Sequence, residues 1–332
     1  MPPRWRWDFE DEPKPARPAV ARPAPAQQAA AAEPPAPPLP AAGAAAGSRA
    51  VQVRRRRAGA LVAVLVLAIV IAAAASGSHG AHHRAASGAR AKVRAAPKAP
   101  TDPEKDELGA VSSTLAYTPF VREGGTKGHD IALTFDDGPG PYTPQVLSVL
   151  EQFHVKATFF VIGRMLRYFG ASTVREIEDG DVIGDHTENH PMLAHMSVHE
   201  QYEELFEQIA RVELIGGHRP VLFRPPYGSF NAATLRELAK LHLLMVLWSV
   251  DTGDFAQPGT SVIVERALEG AHPGEIILLH DAGGTRTETI EALPLIIKGL
   301  RAKGYDLVTV PKLLLDDPPP AGQPIPPNLS GD

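Results

Sequence analysis

The sequence contains no cysteine among its 332 residues. Disulfide bonds and thiolate metal ligands are therefore excluded, and a metal site would have to use His, Asp or Glu side chains. The chain also lacks a strong charge of either sign, since its formal net charge is −5 at pH 7. So weak a negative balance does not support a general nucleic-acid-binding protein, and no nucleic acid partner is expected.

The first 53 residues have few of the large apolar side chains from which a core is built. They are rich in proline and alanine, as in the stretch PKPARPAVARPAPAQQAAAAEPPAPPLPAAGAAAG. Such a composition cannot offset the entropy lost on ordering the chain. Residues 1–53 are therefore predicted to be a disordered tail, which the next segment places in the cytoplasm.

Residues 54–77 are predicted to be a transmembrane signal-anchor. Four arginines, Arg54 to Arg57, precede an uncharged run from Ala58 to Gly77, which has about the 20 residues needed to span a bilayer. Arginines on the N-terminal side favour a cytoplasmic N-terminus. A cleaved signal peptide is the closer alternative, because AAAAS resembles a cleavage site, and a buried core helix is a weaker one. The expected location is the cell membrane, crossed once, with the rest of the chain outside the cytoplasm.

The remainder divides into a linker, one folded domain and a tail. Residues 78–125 have weak periodicity and are predicted to be a flexible linker. Residues 126–315 are predicted to be the catalytic domain, and residues 316–332 a second proline-rich tail.

Short β-rich runs alternate with helix-period segments throughout the domain. Such alternation indicates a parallel sheet with helices outside it. The fold class is therefore α/β, and seven units suit a distorted or incompletely closed (β/α) barrel of the TIM-like kind; an open doubly wound sheet is the alternative. The candidate strands are residues 131–135, 156–162, 181–185, 221–225, 243–250, 275–280 and 305–310.

Polar clusters follow five of these strands. They read FDD, DHTENHP, RPPYG, SVDTGDF and LHD, in chain order. The carboxyl ends of parallel strands lie on one face of the sheet, where active sites collect. The five clusters are therefore expected to converge.

Two histidines in the second cluster suggest a metal site. His186 and His190 are four residues apart, which on a helix would put both imidazoles on one face, although Pro191 disfavours helical geometry there. Alone, this pair is a weak signal, and solvated or capping histidines are the ordinary alternative. Joined by Asp137, they form an Asp-His-His set that leaves a fourth position open, as in catalytic zinc sites. Zinc is the expected metal, with cobalt, nickel or manganese as alternatives.

The adjacent carboxylates of Asp136 and Asp137 pose a problem of charge repulsion, since both would lose hydration in a partly closed site. An ordinary turn would explain the pair in DDGPGP. If Asp137 binds the metal, however, Asp136 is free to act as a general base on a water activated by the metal. Neighbouring strand residues point to opposite faces, so the strand must give way at one of the two. Arg224 could then bond Asp136 and keep it ionised; a surface salt bridge is the alternative.

His280, at the end of a later strand, is the candidate general acid that protonates a leaving group. Asp251 is predicted to hold the imidazolium of His280, while loop capping is the alternative for both Asp251 and Asp254. Leu278 lies two positions before His280 and could line a pocket for an acetyl methyl group, or serve only in the core. In RPPYG, Pro226 and Tyr227 are expected to contact substrate, with the Tyr227 N–H as a candidate oxyanion donor.

The motifs TFDDGP, HTENHP, RPPYG, VDTGDF and LLHD, in this order, resemble those of the polysaccharide deacetylases, the NodB-like carbohydrate esterases of family four. The resemblance covers about residues 128–315. It implies a distorted (β/α) barrel and metal-dependent removal of N- or O-acetyl groups from a glycan. It also implies that Asp136 is the base, that Asp137, His186 and His190 bind the metal, that Arg224 orients the base and that Asp251 tunes the acid His280; Leu278 would line the acetyl pocket.

One position departs from the family pattern, because Phe255 stands where a tryptophan is usual. Phenyl cannot donate a hydrogen bond as an indole N–H does, so the surroundings of His280 are expected to differ. The expected partner is an N-acetylated polysaccharide, and the export anchor favours peptidoglycan; chitin-type oligomers and acetylated xylan are alternatives. A degenerate, membrane-anchored glycan-binding module and a two-carboxylate glycoside hydrolase are the competing functions.

Overall fold

The computed structural model describes residues 102–324. The predicted tail 1–53, the predicted signal-anchor 54–77 and the first part of the predicted linker lie outside the described residues, as does the chain after residue 324. Within the described part of the chain, no helix is both long and apolar enough to cross a membrane.

Nine strands and eight α-helices occur among the described residues. The strands are β1 (Phe120–Val121), β2 (Asp130–Asp136), β3 (Thr158–Val161), β4 (Val182–Asp185), β5 (Leu222–Phe223), β6 (Leu244–Val246), β7 (Val250–Asp251), β8 (Ile276–His280) and β9 (Asp306–Val308). The helices are α1 (Pro103–Leu115), α2 (Thr143–Phe153), α3 (Leu166–Asp179), α4 (Val198–Leu214), α5 (Ala232–Leu241), α6 (Thr260–Glu269), α7 (Thr287–Ala302) and α8 (Val310–Asp316).

The strands form one parallel sheet in the order β1-β6-β5-β4-β3-β2-β8-β7, with β9 also paired to β2. β6 and β7 come from one run of chain that is interrupted only at residues 247–249. Because this run pairs with β5 at one end of the order and with β8 at the other, the sheet curls back on itself. The expected distorted, incompletely regular barrel is confirmed, and the open doubly wound sheet is excluded.

Burial of both faces explains the composition of the central strands. β2 is flanked by β3 and β8, and Ile131, Leu133 and Phe135 are all fully buried. Strands covered on both sides read as nearly continuous apolar runs. The helices bury only one stripe each, as in α2, where Val146, Leu147 and Leu150 enter the core.

The folded domain extends beyond the predicted bounds at both ends. Part of the predicted linker 78–125 forms α1 and β1, and β1 pairs with β6 through Phe120 and Val121. The flexible-linker prediction is therefore wrong for this part, because Val111 and Val121 join a buried cluster with β6 and α8. The predicted tail from residue 316 also begins inside the fold: buried Gln323 accepts hydrogen bonds from the backbone N–H groups of Arg122 and Glu123.

Candidate active site

The polar strand ends converge as parallel topology requires. In the sheet register Asp136, the last residue of β2, lies opposite His280, the last residue of β8. Two residues earlier in each strand, Thr134 lies opposite Leu278. Since side chains alternate along a strand, these four side chains share one face of the sheet, at the end where the loops gather.

The two adjacent aspartates are separated by a change of backbone conformation. Asp136 ends β2, and Asp137 adopts a left-handed conformation with φ of 75°. Left-handed backbone costs a residue other than glycine about 1–3 kcal/mol, and such residues persist where the surroundings hold them. The predicted break is therefore confirmed: the strand ends at Asp136, and both carboxylates lie near His186, whose Nε2 is 3.9 Å from Asp136 Oδ2 and 3.5 Å from Asp137 Oδ1.

Asp137, His186 and His190 form a group that could hold a metal ion. One ligand atom from each lies within 4.8 Å of the others, and all three residues are buried. Asp137 Oδ1 lies 3.0 Å from His190 Nε2 and 3.5 Å from His186 Nε2. One carboxylate oxygen and two imidazole nitrogens, with no thiolate, are the donors expected of an open catalytic site for zinc or a related metal.

Hydrogen bonding and burial prepare these residues for a cation. His186 Nδ1 lies 2.7 Å from the carbonyl oxygen of Arg224, and donation to that carbonyl leaves Nε2 with its lone pair toward Asp137. Burial lowers the pKa of His190, which keeps its imidazole neutral. Burial would raise the pKa of Asp137, but the charges and hydrogen bonds of the nearby histidines outweigh it and hold that pKa well below its usual range. The set therefore offers one carboxylate oxygen and two imidazole nitrogens to a cation.

Arg224 is fully buried and makes the predicted contact with Asp136. Its Nη1 donates to Asp136 Oδ1 at 2.8 Å and to Thr134 Oγ1 at 2.8 Å. Its other two nitrogens donate to the carbonyl oxygens of Val246, at 3.1 Å, and Leu247, at 3.0 Å. A surface salt bridge is excluded, because the guanidinium has no exposed side chain area. This geometry fixes the orientation of the Asp136 carboxylate.

The partner of His280 is Asp254, so the prediction of Asp251 is wrong. Asp254 Oδ1 lies 2.7 Å from His280 Nδ1, and Asp254 Oδ2 accepts the His280 backbone N–H at 2.8 Å. Thr289 of α7 also donates to Asp254 Oδ2, at 2.8 Å. Asp251 is exposed and accepts the N–H of Gly253 at 2.8 Å, which is the loop-capping alternative.

The electrostatics of Asp254 and His280 favour the charged form of the pair, in which an imidazolium faces a carboxylate. Burial acts to lower the pKa of His280, but the charge and hydrogen bond of Asp254 outweigh burial and raise that pKa to about 9. Burial likewise acts to raise the pKa of Asp254, and the charge and hydrogen bond of His280 overcome it, so that pKa is lowered. With a pKa of about 9, the imidazole of His280 carries a proton on Nε2 as well as on Nδ1 at neutral pH.

The predicted substrate-contact residues lie around this group. Leu278 is buried on β8, and Pro226 is buried at the start of a short 3₁₀ turn after β5. Tyr227 has a left-handed backbone with φ of 57°, its side chain is 41% exposed, and its ring meets the His190 ring edge-on at 4.6 Å. An exposed aromatic ring beside a buried histidine gives the site an apolar wall that substrate can reach.

Phe255, the position that departs from the family pattern, also borders the site. Its side chain is 40% exposed, and its ring meets that of His280 at 5.7 Å with an interplanar angle of 67°. The ring therefore supplies an apolar edge contact to His280 while presenting much of its surface to the cleft. A phenyl ring offers no N–H donor in this place.

Sequence reasoning missed Thr134 and Thr187 as well as the role of Asp254. Thr134 helps to hold Arg224, and Thr187 Oγ1 accepts the backbone N–H of His190 at 2.9 Å. The position of Thr134 could have indicated its role, because it lies two residues before Asp136 and side chains two apart in a strand share one face. The position of Asp254 could also have indicated a place in the site, because it directly precedes Phe255, which stands where the family has a tryptophan.

Comparison with known proteins agrees with this geometry. The family model for polysaccharide deacetylase matches residues 123–246. A peptidoglycan-N-acetylglucosamine deacetylase of Bacillus cereus is 40% identical over 194 residues, which cover 55% of this chain and 87% of that protein. The peptidoglycan-N-acetylmuramic acid deacetylase PdaC of Bacillus subtilis is 39% identical over 184 residues, but the chain spans only 38% of its length.

A solved structure shares the fold. The Bc1960 peptidoglycan N-acetylglucosamine deacetylase, bound to 4-naphthalen-1-yl-N-oxidanyl-benzamide, is 34% identical with a TM-score of 0.58, covering 61% of this chain and 95% of the other. Fold, site and relatives together define the class of this protein as a hydrolase that acts on amide bonds. More specifically, the chain belongs to the polysaccharide deacetylase family, and the predicted family resemblance is thereby confirmed.

Proposed function

We propose that this protein removes N-acetyl groups from peptidoglycan in a metal-dependent hydrolysis. The observation that carries the proposal is the convergence of two separate sets of side chains at one barrel end: Asp137 with His186 and His190, and Asp136 opposite His280. A site with ligands for a metal, a held carboxylate and a protonated imidazole has every group that amide hydrolysis requires.

Asp136 is the proposed general base. Asp137, His186 and His190 would hold a divalent cation, which would supply Lewis-acid polarisation of the acetyl carbonyl and lower the pKa of the attacking water. Asp136 accepts the proton of that water as its oxygen attacks the acetyl carbon. The hydrogen bond from Arg224 Nη1 at 2.8 Å holds the carboxylate in a fixed orientation for this step.

His280 is the proposed general acid. Protonation of the sugar nitrogen lets the carbon–nitrogen bond break, releasing acetate and leaving a free amine on the sugar. Asp254 holds His280 in the tautomer and orientation that present Nε2–H to the cleft, because its carboxylate occupies Nδ1 at 2.7 Å. Leu278 and Phe255 are proposed to enclose the acetyl methyl group, and Tyr227 to contact the sugar.

Two observations support peptidoglycan as the proposed substrate. Both the Bacillus cereus and the Bacillus subtilis relatives are named for deacetylation of peptidoglycan sugars. The sequence of residues 54–77 independently favours a single membrane anchor with the catalytic domain outside the cytoplasm, where peptidoglycan lies. We propose zinc as the metal and the cell membrane as the location.

Removal of the metal is expected to abolish acetate release. Treatment with a chelator followed by desalting should reduce the rate on peptidoglycan fragments to background, and added Zn²⁺ or Co²⁺ should restore it, because the cation polarises the carbonyl. The measurement is acetate release together with mass spectrometry, which detects loss of one acetyl group per modified sugar. Chitooligomers and acetylated xylan, run in parallel, test the alternative substrates.

The matched variants are a double substitution, His186→Ala with His190→Ala, and the single substitution His199→Ala. His199 lies on α4, is well exposed and pairs with Glu203, so its loss tests the removal of a histidine outside the site. Full acetate release by the metal-free double variant would refute the proposal. Glycan retention by the wild-type protein without any acetate would favour a binding module.

A further inference from the structure

The two metal-binding histidines lie on a loop whose conformation is not that of a helix or a strand. His186 follows β4 directly, and Thr187 and His190 have left-handed φ values of 68° and 61°. Local bonds hold part of this loop, since Asp185 Oδ1 accepts the N–H of Thr187 at 2.7 Å. The strained backbone at His190 also requires contacts from outside the loop.

Some of those contacts come from the backbone N–H groups of Gly163 and Arg164, which donate to the carbonyl oxygens of Thr187 and Glu188, and others come from one face of α4. Glu204, Gln208 and Arg211 follow the i, i+4, i+7 spacing that aligns side chains on one side of a helix. Gln208 Nε2 donates to the carbonyl oxygen of Val161 at 3.1 Å, at the end of β3, and so ties the helix to the sheet. The start of α4 is fixed by a capping box of Ser197 and Glu200.

Glu204 binds the loop at the residue next to His190. Its Oε2 accepts the backbone N–H of Asn189 at 2.8 Å, and its Oε1 accepts Asn189 Nδ2 at 3.0 Å. The backbone carbonyl of Glu204 also accepts the N–H of Glu188 at 2.9 Å. The backbone N–H groups of Glu188 and Asn189 therefore both donate hydrogen bonds to Glu204 of α4.

Arg211, about two helical turns further along α4, contacts the same loop. Its Nε donates to both carboxylate oxygens of Glu188, at 2.7 Å and 2.6 Å, and the side chain of Glu188 is buried. Charge-assisted bonds to a buried carboxylate are strong and directional. The loop is thus anchored at Glu188 and Asn189, between the two histidines that bear the ligand nitrogens.

We propose that Glu204 is a positioning residue for the metal site, which it serves by holding Asn189 and through it the backbone of His190. Glu204 does not contact the ligand atoms, so its effect reaches the metal through the place and angle of the His190 imidazole. Residues that orient metal ligands in this way influence metal affinity by about 10- to 100-fold. The proposal takes its metal site from the proposed function but needs no turnover to be tested.

The test is the affinity of the metal-free protein for Zn²⁺, measured by competition with a chromogenic chelator. Glu204→Ala removes both acceptors, while alanine preserves the helix. We expect Glu204→Ala to weaken zinc binding about 10-fold or more. The matched control is Glu207→Ala, the same change at an exposed position of α4, and it should bind zinc within about twofold of wild type.

Two further variants separate positioning from folding. Glu204→Gln keeps an acceptor for the Asn189 N–H, so its zinc affinity should lie between those of wild type and Glu204→Ala. Asn189→Ala removes only the side-chain bond to Oε1, and a several-fold weaker affinity is expected. It tests the same contact if Glu204→Ala does not fold, as judged by circular dichroism.

Zinc affinity in folded Glu204→Ala equal to that of Glu207→Ala would overturn the proposal, as would unchanged affinity in Asn189→Ala. Failure of the wild-type protein to release acetate would instead overturn the proposed function. That second result would leave the zinc-binding comparison intact, because no substrate takes part in it.

Discussion

Replacing Asp136 with asparagine is expected to lower kcat for deacetylation about 10²- to 10⁴-fold. Asparagine has nearly the same shape and can still accept the Arg224 hydrogen bond, but it cannot take a proton from water. Zinc affinity should change little, because Asp136 lies outside the three-residue set and its nearer oxygen is 3.9 Å from His186 Nε2. The measurement is kcat beside zinc affinity on the same preparation.

The control for this prediction is Asp251→Asn, the same chemical change at an exposed aspartate of the same barrel end. It should keep kcat within about threefold of wild type, because the asparagine amide oxygen can still accept the N–H of Gly253. The melting temperature must be followed too, since asparagine leaves the buried Arg224 guanidinium without its carboxylate. A folded, zinc-loaded Asp136→Asn protein with wild-type kcat would refute the role of Asp136 as base.

Replacing Asp254 with asparagine is expected to move the alkaline limb of the pH–rate profile to lower pH and to reduce kcat at pH 8. His280 must be protonated to act as an acid, and Asp254 is the main group that raises its pKa, to about 9 against an ordinary 6.5. Without that charge, burial lowers the pKa, so the acid form is lost at lower pH. A bound cation lowers the pKa in both proteins, and the difference between them remains.

The same raised pKa of His280 should also make the folding stability depend on pH. A pKa that is raised on folding adds stability that is complete below the unfolded value, near 6.5, and is lost as pH rises through the folded value, near 9. The melting temperature of Asp254→Asn should therefore lie furthest below that of wild type just below pH 6.5, and the gap should narrow as the pH rises from there through about 9. Asp251→Asn serves again as the control. If it shifted the alkaline limb and Asp254→Asn did not, the assignment of Asp254 to His280 would be wrong.

The barrel and most of the site could be predicted because parallel strands place their carboxyl ends together. Asp136, His186, Arg224 and His280 each stand at or just after a strand, so their proximity follows from the order of elements alone. The break between Asp136 and Asp137 was also readable, because a regular strand cannot aim neighbouring side chains at one place.

Asp251 and Asp254 could not be told apart by such reasoning. Both follow the same strand, and what separates them is the path of the loop: Gly253 takes a left-handed conformation with φ of 62°, and a 3₁₀ turn from Asp254 brings that carboxylate under His280. Loop geometry of this kind depends on contacts from distant elements, here the hydroxyl of Thr289. Helix α1 was missed for a related reason, since few of its residues are buried.

The interruption between β6 and β7 has a consequence for protein engineering. The carbonyl oxygens of Val246, just before the interruption, and Leu247, within it, accept hydrogen bonds from Arg224. The same guanidinium holds Asp136. A designer who transplanted Asp136, Asp137 and the histidines onto a regular eight-stranded barrel would leave that guanidinium without two of its acceptors. The irregular strand would have to be carried over with the site, so the smallest portable unit of this chemistry includes the bend that curls the sheet.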